Sequence, residues 1–352
     1  MSVQKAIAVV ATAQPVKLIE RPIPKPGPGQ VLVKVSIAGL NPHDALVREI
    51  AYFVGKDNLP GVLAIDIVGK VVELGENVNT FRIGDEVMGQ GDPVVSDTKG
   101  SQEYAVLDAD FIAPLPSSVS PDQADTIILN PLTAYVAVLT PLGLDIPSPL
   151  AASAREFDYK NAGIVIIGGS SSCGRFAIQL AKWVGIGTIV TVAGKHGEAD
   201  LKSIGATHVI DRSLPDEDIQ REVRNIVGDD LLYVLDCNNR ADHTPGIRML
   251  SNSKKGTMVP LAVSRPNTVD ETKVGPKQQG YNFRKFVCRP ALFREIAAQF
   301  YKALPSLIDD GVLKPTSFEV IEGLDADKIN AQLDKWRDGQ WPSRVNIHVS
   351  ET

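Results

Sequence analysis

The most informative segment of the chain is Ile164-Val165-Ile166-Ile167-Gly168-Gly169-Ser170-Ser171-Ser172-Cys173-Gly174, which runs directly into a stretch with helical spacing. Its four β-branched residues predict a buried strand, and the small residues after them predict a tight turn into a helix. Such a turn presents backbone N–H groups and the positive end of the helix to an anion. The segment therefore predicts a strand–turn–helix unit that binds the pyrophosphate of a dinucleotide.

Two other signatures share parts of this turn. A P-loop has the spacing of Gly169 and Gly174, but Arg175 and Phe176 follow where a lysine and a hydroxyl residue are required. A nucleophile elbow, Gly-x-Ser-x-Gly, fails because Cys173 stands at its second glycine. The dinucleotide fingerprint survives with serine in place of its middle glycine, and a turn that binds nothing is the structural alternative. The predicted cofactor contacts are Gly169, Ser170, Ser171, Ser172, Cys173 and Gly174.

The next strand gives a prediction of which dinucleotide is bound. It ends in Ala193 and Gly194, where an NAD site would place a carboxylate against the ribose diol. Lys195 follows at once, and Arg212 follows the strand after that, so both cations could bind a 2′-phosphate. We therefore predict NADPH as the cofactor, with Lys195 and Arg212 as contacts. Solvated surface charges are the alternative, and the nearby Glu198 opposes the assignment.

The pattern of the chain changes twice along its length. The first part is broken by Gly and Pro into short predicted strands at residues 5–10, 30–37, 66–74, 85–89 and 102–107. The middle part alternates helical stretches with predicted strands at residues 164–167, 188–192, 208–210, 231–235 and 257–261. Residues 345–349 alternate like a strand that returns to the first domain. We predict an α/β fold: a mostly-β domain of residues 1–130 and 301–352, and a doubly wound parallel-sheet domain of residues 131–300.

Composition excludes several classes of protein. The 352 residues are 43% hydrophobic and 22% charged, which is typical of a globular chain with ample core. A net charge of -6 without a dense basic block argues against nucleic acid as a partner. Cys173, Cys237 and Cys288 lie too far apart for a disulfide framework or a paired-cysteine metal site. The apolar run near Met1 predicts neither a signal peptide nor a membrane span, so we expect a cytoplasmic protein.

The order of several short motifs resembles a known superfamily over nearly the full chain. These motifs are Gly39-Leu40-Asn41-Pro42-His43-Asp44, residues 69–75, Gly84-Asp85-Glu86-Val87, Leu132-Thr133-Ala134-Tyr135, residues 168–182 and Gly205-Ala206-Thr207-His208-Val209-Ile210-Asp211. The chain resembles the medium-chain dehydrogenase/reductase superfamily, and within it the zinc-independent branch of quinone-reductase-like and fungal trans-acting enoyl reductase proteins. The resemblance implies a GroES-like catalytic domain built from both termini, a Rossmann domain between them, and a nicotinamide held in the cleft.

Departures from the zinc-dependent members bear on the metal. Those relatives carry a cysteine ligand near the position of Gly39 and a Gly-His-Glu sequence where this chain has Ala64-Ile65-Asp66. Their structural zinc loop uses four clustered cysteines, and residues 90–110 contain none. A catalytic zinc needs three protein ligands of N, S or O type. We therefore predict that the protein holds no metal.

The chemistry follows from the predicted lack of a Lewis acid. Without zinc, an isolated ketone loses its polarisation, whereas a conjugated acceptor can take hydride at its β-carbon and spread negative charge to its carbonyl oxygen. The family pattern and its flanks supply Asn41, His43, Tyr52 and Thr133 as polar candidates, and the resemblance places Asn41 and Thr133 on the nicotinamide side of the cleft. Each also has a structural role as an alternative, in a turn, a helix start or a loop. Some enoyl reductases carry a lysine shortly after this asparagine segment, but residues 45–46 are apolar here.

The favoured function is an NADPH-dependent reductase of activated carbon–carbon double bonds in a small molecule, with a carrier-bound enoyl thioester among the candidate forms. A quinone reductase or an alcohol or aldehyde dehydrogenase is the runner-up, and a non-catalytic NADPH-binding protein is the rival from another class. Residues 141–159 and 264–281 are expected to shape substrate entry without indicating a substrate. The sequence leaves monomer and homodimer open.

Overall fold

A computed structural model describes residues 2–151, 156–238, 241–261, 268–340 and 343–350. The chain divides into two compact units, the first made of residues 1–129 and 289–352 and the second of residues 130–288. The parts of the predicted substrate-entry segments at residues 152–155 and 264–267 lie outside the described residues.

The first part of the first unit is rich in β-structure. Its strands are β1 (Val3–Val9), β2 (Lys17–Pro22), β3 (Gln30–Leu40), β4 (Gly61–Val62), β5 (Asp66–Leu74), β6 (Glu86–Gln90), β7 (Tyr104–Asp108) and β8 (Ile112–Pro114), and its helices are α1 (Pro42–Ile50) and α2 (Pro121–Asp125). Antiparallel pairs join β3 to β5 and β5 to β6, and β7 also pairs with β3. Most residues of β3 and β5 are buried, and their apolar side chains contribute to the hydrophobic core of this unit.

The second unit has the βαβ pattern that the sequence predicts. Its helices are α3 (Leu129–Leu139), α4 (Ser172–Trp183), α5 (Glu198–Ile204), α6 (Asp216–Val227) and α7 (Thr244–Met249), and its strands are β9 (Gly163–Ile167), β10 (Thr188–Ala193), β11 (His208–Asp211), β12 (Tyr233–Asp236), β13 (Gly256–Pro260) and β14 (Tyr281–Phe283). Within the described residues these strands form a six-stranded parallel sheet in the order β11-β10-β9-β12-β13-β14. That order reverses direction between β9 and β12, which is where doubly wound sheets bind their ligands.

The last part of the chain returns to the first unit. It supplies α8 (Arg294–Asp309), β15 (Phe318–Glu322), α9 (Ala326–Arg337) and β16 (Arg344–His348). β16 pairs antiparallel with β3 and parallel with β15, so the predicted returning strand is confirmed. Ile321, Ile329 and Ile347 join the core of this unit from the C-terminal part of the chain.

The structure moves the second junction between the units. The sequence pattern predicts this junction after residue 300, which assigns the start of α8 to the parallel-sheet domain. In the structure the second unit ends at Cys288, and α8 packs on β8 and on the turn Ala109–Phe111 of the first unit. The Tyr301 hydroxyl donates to Gln90 Oε1 at 3.2 Å, and this contact joins α8 to β6. The contacts of α8 with β6, β8 and the turn Ala109–Phe111 thus place this helix in the first unit, although the sequence pattern assigns its start to the second.

Candidate functional site

The turn between β9 and α4 requires glycine at three positions. Gly168 has a φ of +83°, which L side chains rarely adopt. A Cβ at Gly169 would lie 1.9 Å from Thr191 Oγ1, and a Cβ at Gly174 would lie 2.3 Å from the backbone oxygen of Gly168. The glycines therefore permit the close packing of strand, turn and helix that a dinucleotide-binding turn needs.

Serine side chains define where α4 begins. Ser171 is its N-cap residue: the Ser171 hydroxyl accepts from Gly174 N at 3.1 Å and donates to Gly168 O at 2.8 Å. Ser172 and Cys173 form the first turn of the helix, and Cys173 Sγ lies 3.1 Å from Asn130 Oδ1. A capped, 12-residue helix directs its positive end toward the turn, so these residues fit the pyrophosphate of a nicotinamide cofactor.

A neighbouring strand end completes this edge of the sheet and was not anticipated from the sequence. Cys237 N donates to Ile167 O at 2.8 Å, and Asn238 N lies 3.1 Å from the Cβ position of Gly168. Burial raises the pKa of the Cys237 thiol, which therefore stays protonated. The sequence does carry a signal for these two residues. They follow the predicted strand that ends near Asp236, and the carboxyl ends of parallel strands meet at one edge of the sheet.

The predicted 2′-phosphate contacts lie at the ends of adjacent strands. Arg212 N donates to Ala193 O at 2.9 Å, which brings the residues after β10 and β11 together. The Lys195 ammonium is 2.7 Å from Glu198 Oε2, and Lys202 binds the other oxygen of Glu198 at 2.8 Å. Hydrogen bonds from these two lysines lower the pKa of Glu198 to about 2. Lys195 thus lies just beyond the end of β10, with Glu198 as its ion-pair partner.

In the first unit, Asn41 belongs to a buried network of charges. Asn41 is the N-cap of α1, and its Nδ2 donates to Asp66 Oδ2 at 2.8 Å. Its Oδ1 accepts from Arg344 Nη1 at 3.0 Å. Its backbone N–H donates to Asp44 Oδ2 at 2.8 Å. The amide of this predicted catalytic residue therefore holds two charged groups in place.

Arg344 binds two buried carboxylates at once. Its Nη2 donates to Asp66 Oδ2 at 2.5 Å and to Asp125 Oδ2 at 2.9 Å. The other oxygen of Asp66 accepts from Leu129 N at 2.9 Å, whereas Asp125 Oδ1 is buried and has no hydrogen-bond partner among the described residues. A Cβ at Gly39 would lie 1.9 Å from Arg344 Nη2, so glycine makes room for the guanidinium. Burial raises the pKa of Asp125 to about 7.

His43 and Tyr52 border the same helix. His43 Nε2 lies 3.7 Å from Asp44 Oδ1, and burial lowers the pKa of the imidazole. The Tyr52 ring is 4.2 Å from the Phe53 ring between centroids, and burial raises the pKa of the Tyr52 hydroxyl. Ala51 and Phe53 both have positive φ values, 55° and 65°, at the end of α1. The backbone at this turn is therefore held in a conformation that is rare for residues other than glycine.

Thr133 lies on α3 of the second unit and is partly exposed. The structure thus brings Asn41, His43 and Tyr52 together around α1 in the first unit, and Thr133 belongs to the other unit. Asp66, Asp125 and Arg344 are the members of the site that sequence reasoning missed.

The described residues contain neither a cluster of metal ligands nor a helix that could span a membrane. In the ranges that the structure describes, no group of three or more His, Cys, Asp or Glu side chains is arranged to hold a metal ion. The segment that matches Gly-His-Glu of zinc-dependent relatives has Ile65 buried in the core and Asp66 bound to Arg344. Of the helices in those ranges, none combines the length and apolar character needed to cross a membrane.

Comparisons with known proteins agree with this architecture. The family model of the alcohol dehydrogenase GroES-like domain matches residues 27–117, and that of the zinc-binding dehydrogenase matches residues 173–300. A zinc-type alcohol dehydrogenase-like protein of Staphylococcus epidermidis is 25% identical over 312 residues, 87% of each chain. A trans-enoyl reductase of Gibberella fujikuroi is 33% identical over 65% of this chain and 66% of its own length. One of Aspergillus flavipes is 27% identical over 95% of each.

Solved structures show the same fold. An alcohol dehydrogenase superfamily protein of Novosphingobium aromaticivorans superposes with a TM-score of 0.79 at 24% identity, covering 99% of this chain and 100% of that one. The CurK enoyl reductase gives 0.78 at 18% identity over 99% of each chain. At these identities the likeness concerns the fold, and it confirms the predicted α/β class with a GroES-like domain and a Rossmann-like parallel sheet. The chain belongs to the medium-chain dehydrogenase/reductase superfamily of nicotinamide-dependent oxidoreductases.

Proposed function

We propose that this protein is an NADPH-dependent reductase of activated carbon–carbon double bonds that works without zinc. The observation that carries the proposal is the arrangement around Asp66. The stretch that supplies a histidine ligand in zinc-dependent relatives has Ile65 instead, and the carboxylate beside it is bound by Arg344 at 2.5 Å. An oxidoreductase with this chemistry is best suited to an acceptor that is already activated by conjugation. Several relatives carry the name trans-enoyl reductase, which supports the same substrate class.

NADPH would supply a hydride when bound. The turn Gly168–Gly174 and the first turn of α4 would hold its pyrophosphate, because their backbone N–H groups and the helix dipole favour a dianion. Lys195 and Arg212 would bind the 2′-phosphate. To reach the phosphate, Lys195 would have to share its ammonium with Glu198 or break this ion pair. Glu198 would therefore weaken the contribution of Lys195 to NADPH affinity.

Residues of the chain would meet the negative charge that develops on the carbonyl oxygen of the acceptor. We assign this task to the Tyr52 hydroxyl and the His43 imidazole of the first unit, and Thr133 of the second unit stays a prediction from the sequence. Tyr52 suits it because a phenol hydroxyl keeps its proton at neutral pH and can donate it in a hydrogen bond, and burial, which raises the pKa of Tyr52, preserves that state. Asn41 would act through the network, because its amide donates to Asp66 and accepts from Arg344.

The substrate would be a small molecule with a conjugated carbonyl, and an enoyl thioester on a carrier is one form of it. The test is oxidation of NADPH in the presence of an enone, an enoyl thioester, a quinone and an aldehyde, each supplied alone. Turnover of the enone and the thioester is expected. Preferential turnover of the quinone would indicate a quinone reductase, and preferential turnover of the aldehyde an alcohol or aldehyde dehydrogenase. Binding of NADPH without turnover of any acceptor would indicate a non-catalytic NADPH-binding protein.

The zinc-free part of the proposal has its own measurement. Elemental analysis of the purified protein should find no stoichiometric zinc, and chelation should leave activity unchanged. One tightly held zinc per chain, with activity lost on chelation, would overturn this part.

A further inference from the structure

A buried lysine of the first unit plays no part in the proposed chemistry. Lys99 has 0% of its surface exposed, and its Nζ has no hydrogen-bond partner among the described residues. An ammonium group in such a place is costly unless other charges compensate it. Lys99 therefore requires an explanation from the groups that surround it.

Backbone contacts fix where Lys99 lies. The next residue, Gly100, donates its N–H to Ala64 O at 2.7 Å, and Ala64 N donates to Asp44 Oδ1 at 2.9 Å. Ala64 has a φ of 62°, so this contact is made by backbone in a rare conformation. Backbone hydrogen bonds thus tie the residue after Lys99 to Ala64, and Ala64 in turn to the Asp44 carboxylate at the start of α1.

The negative charges of Asp44 and Asp92 act on the buried Lys99 ammonium. Asp44 is fully buried, and both of its oxygens accept backbone N–H groups, from Asn41 and Ala64. The charge of Asp92 also acts on Lys99, but Arg289 Nε already binds the Asp92 carboxylate at 2.9 Å. Among the described residues no lysine or arginine forms an ion pair with Asp44, whose only ion-pair partner there is the neighbouring His43, so the Lys99 ammonium is the charge available to balance it.

His43 is the other titratable group near Lys99. The charges that act on its imidazole are those of Asp44, Lys99, Asp66 and Arg344. Its Nε2 is buried without a hydrogen-bond partner among the described residues and is 3.7 Å from Asp44 Oδ1. If His43 gained a proton, it would be drawn to Asp44, whose oxygens already cap α1 and hold Ala64.

We propose that Lys99 is a positioning residue for the candidate site: its buried ammonium balances Asp44 and keeps the His43 imidazole uncharged, so that His43 stays free of Asp44. The inference deepens the proposed function, since an uncharged imidazole would be the state that meets the acceptor oxygen. Burial and Lys99 both lower the pKa of His43, while Asp44 and Asp66 act in the opposite direction. Burial lowers the pKa of Lys99 itself to about 8, so its influence ends above that pH.

The test is an NMR titration of the His43 imidazole, which needs no activity. The chain has five histidines, and the variant His43→Gln identifies the signal. In Lys99→Met the His43 titration should move to higher pH, and Lys99→Arg should restore it. Lys70→Met is the matched control, because Lys70 lies on β5 with 55% of its side chain exposed and is not among the charges that act on His43.

Kinetics supply the second readout. The acid limb of the pH profile of kcat/KM should move to higher pH in Lys99→Met, and the difference from the unmodified protein should vanish above about pH 8. In the His43→Gln background, Lys99→Met should have little further effect on this profile. A folded Lys99→Met protein whose His43 titrates as in the unmodified chain would overturn the proposal.

Failure of the proposed function and failure of the proposed role of Lys99 give different results in these experiments. If no reductase activity is found with any acceptor, the proposed function fails, and the NMR titration still decides the role of Lys99. If Lys99→Met does not fold, Lys99→Gln and the unmodified protein remain. A His43 that carries a proton at pH 7 in the unmodified protein would contradict the inference directly.

Discussion

The two units build their candidate sites in opposite ways. In the second unit, the turn Gly168–Gly174 is made by seven consecutive residues, and its geometry depends on where side chains are absent. In the first unit, Arg344 joins Asn41 and Asp66 across 303 and 278 residues of sequence, and the site depends on charged side chains that balance one another. We therefore expect added volume to be the main way to disrupt the backbone site, and loss of a charge the main way to disrupt the network.

The largest expected effect is loss of stability when the network loses its cation. Arg344→Met would leave Asp66 and Asp125 buried without the guanidinium that binds both. Breaking a buried pair typically costs about 3–5 kcal/mol of unfolding free energy, which urea denaturation would measure. The control is Arg337→Met, since the Arg337 side chain is 46% exposed and its ion pairs lie at the surface. Equal losses in both variants, or none in Arg344→Met, would contradict the account of the network.

The second prediction concerns the dependence of stability on pH. Burial raises the pKa of Asp125 to about 7, so the folded state keeps a proton that the unfolded state releases near pH 4. Between about pH 4 and 7 this group should make the unfolding free energy fall as pH rises, by up to about 1.4 kcal/mol per pH unit. Asp125→Asn should remove that slope. A slope that is unchanged in the variant would show that Asp125 is ionised in the folded protein.

The third prediction tests the backbone site through volume. Gly174→Ala would place a Cβ 2.3 Å from Gly168 O, so the turn or the helix must shift. Overpacking of this kind costs about 1–3 kcal/mol, and affinity for the dinucleotide should fall with it. Gly197→Ala is the control, because its Cβ would meet nothing closer than 3.7 Å. Calorimetric titration with NADPH should separate the two variants, and equal affinities would contradict the role of the turn.

The smallest expected effect concerns the choice between NADPH and NADH. Lys195→Ala should weaken NADPH by roughly tenfold and leave NADH unchanged, because the contact is to the 2′-phosphate alone. Glu198→Gln should strengthen NADPH, since Glu198 holds the Lys195 ammonium at 2.7 Å in this structure. Dissociation constants for both cofactors decide the matter. Equal losses for NADPH and NADH in Lys195→Ala would remove this lysine from the specificity site.

These comparisons also show which parts of the molecule were predictable. The alternation of strands and helices in the second unit and the strand at the end of the chain follow from local periodicity, whereas the return of that strand to the first unit was implied by the family resemblance. The place of α8 did not, because its buried residues pack on β8 and on the turn Ala109–Phe111, which lie far away in sequence. Local patterns specify an element, and only tertiary contacts specify the unit to which it belongs.

The same limit applies to the candidate site. The glycines and the N-cap Ser171 are contiguous, so a motif could reveal them. Asn41 was visible as a polar residue in a family motif, but its partners Asp66 and Arg344 come from strands that meet only in the folded sheet. Lys99 carried no sequence signal at all, because its importance lies in being buried. Charge networks of this kind are properties of the assembled fold.

One measurement tests the central claim most directly: the destination of hydride from NADPH that carries deuterium at the transferred position. With an enone or an enoyl thioester as acceptor, the account predicts that the label appears on the carbon β to the carbonyl group. The carbonyl group should be retained in the product, because the donors of the site stabilise the enolate charge on its oxygen and a proton then adds to the α-carbon, which restores the carbonyl. Label on the carbonyl carbon, with an alcohol as the product, would contradict the account and favour an alcohol or aldehyde dehydrogenase.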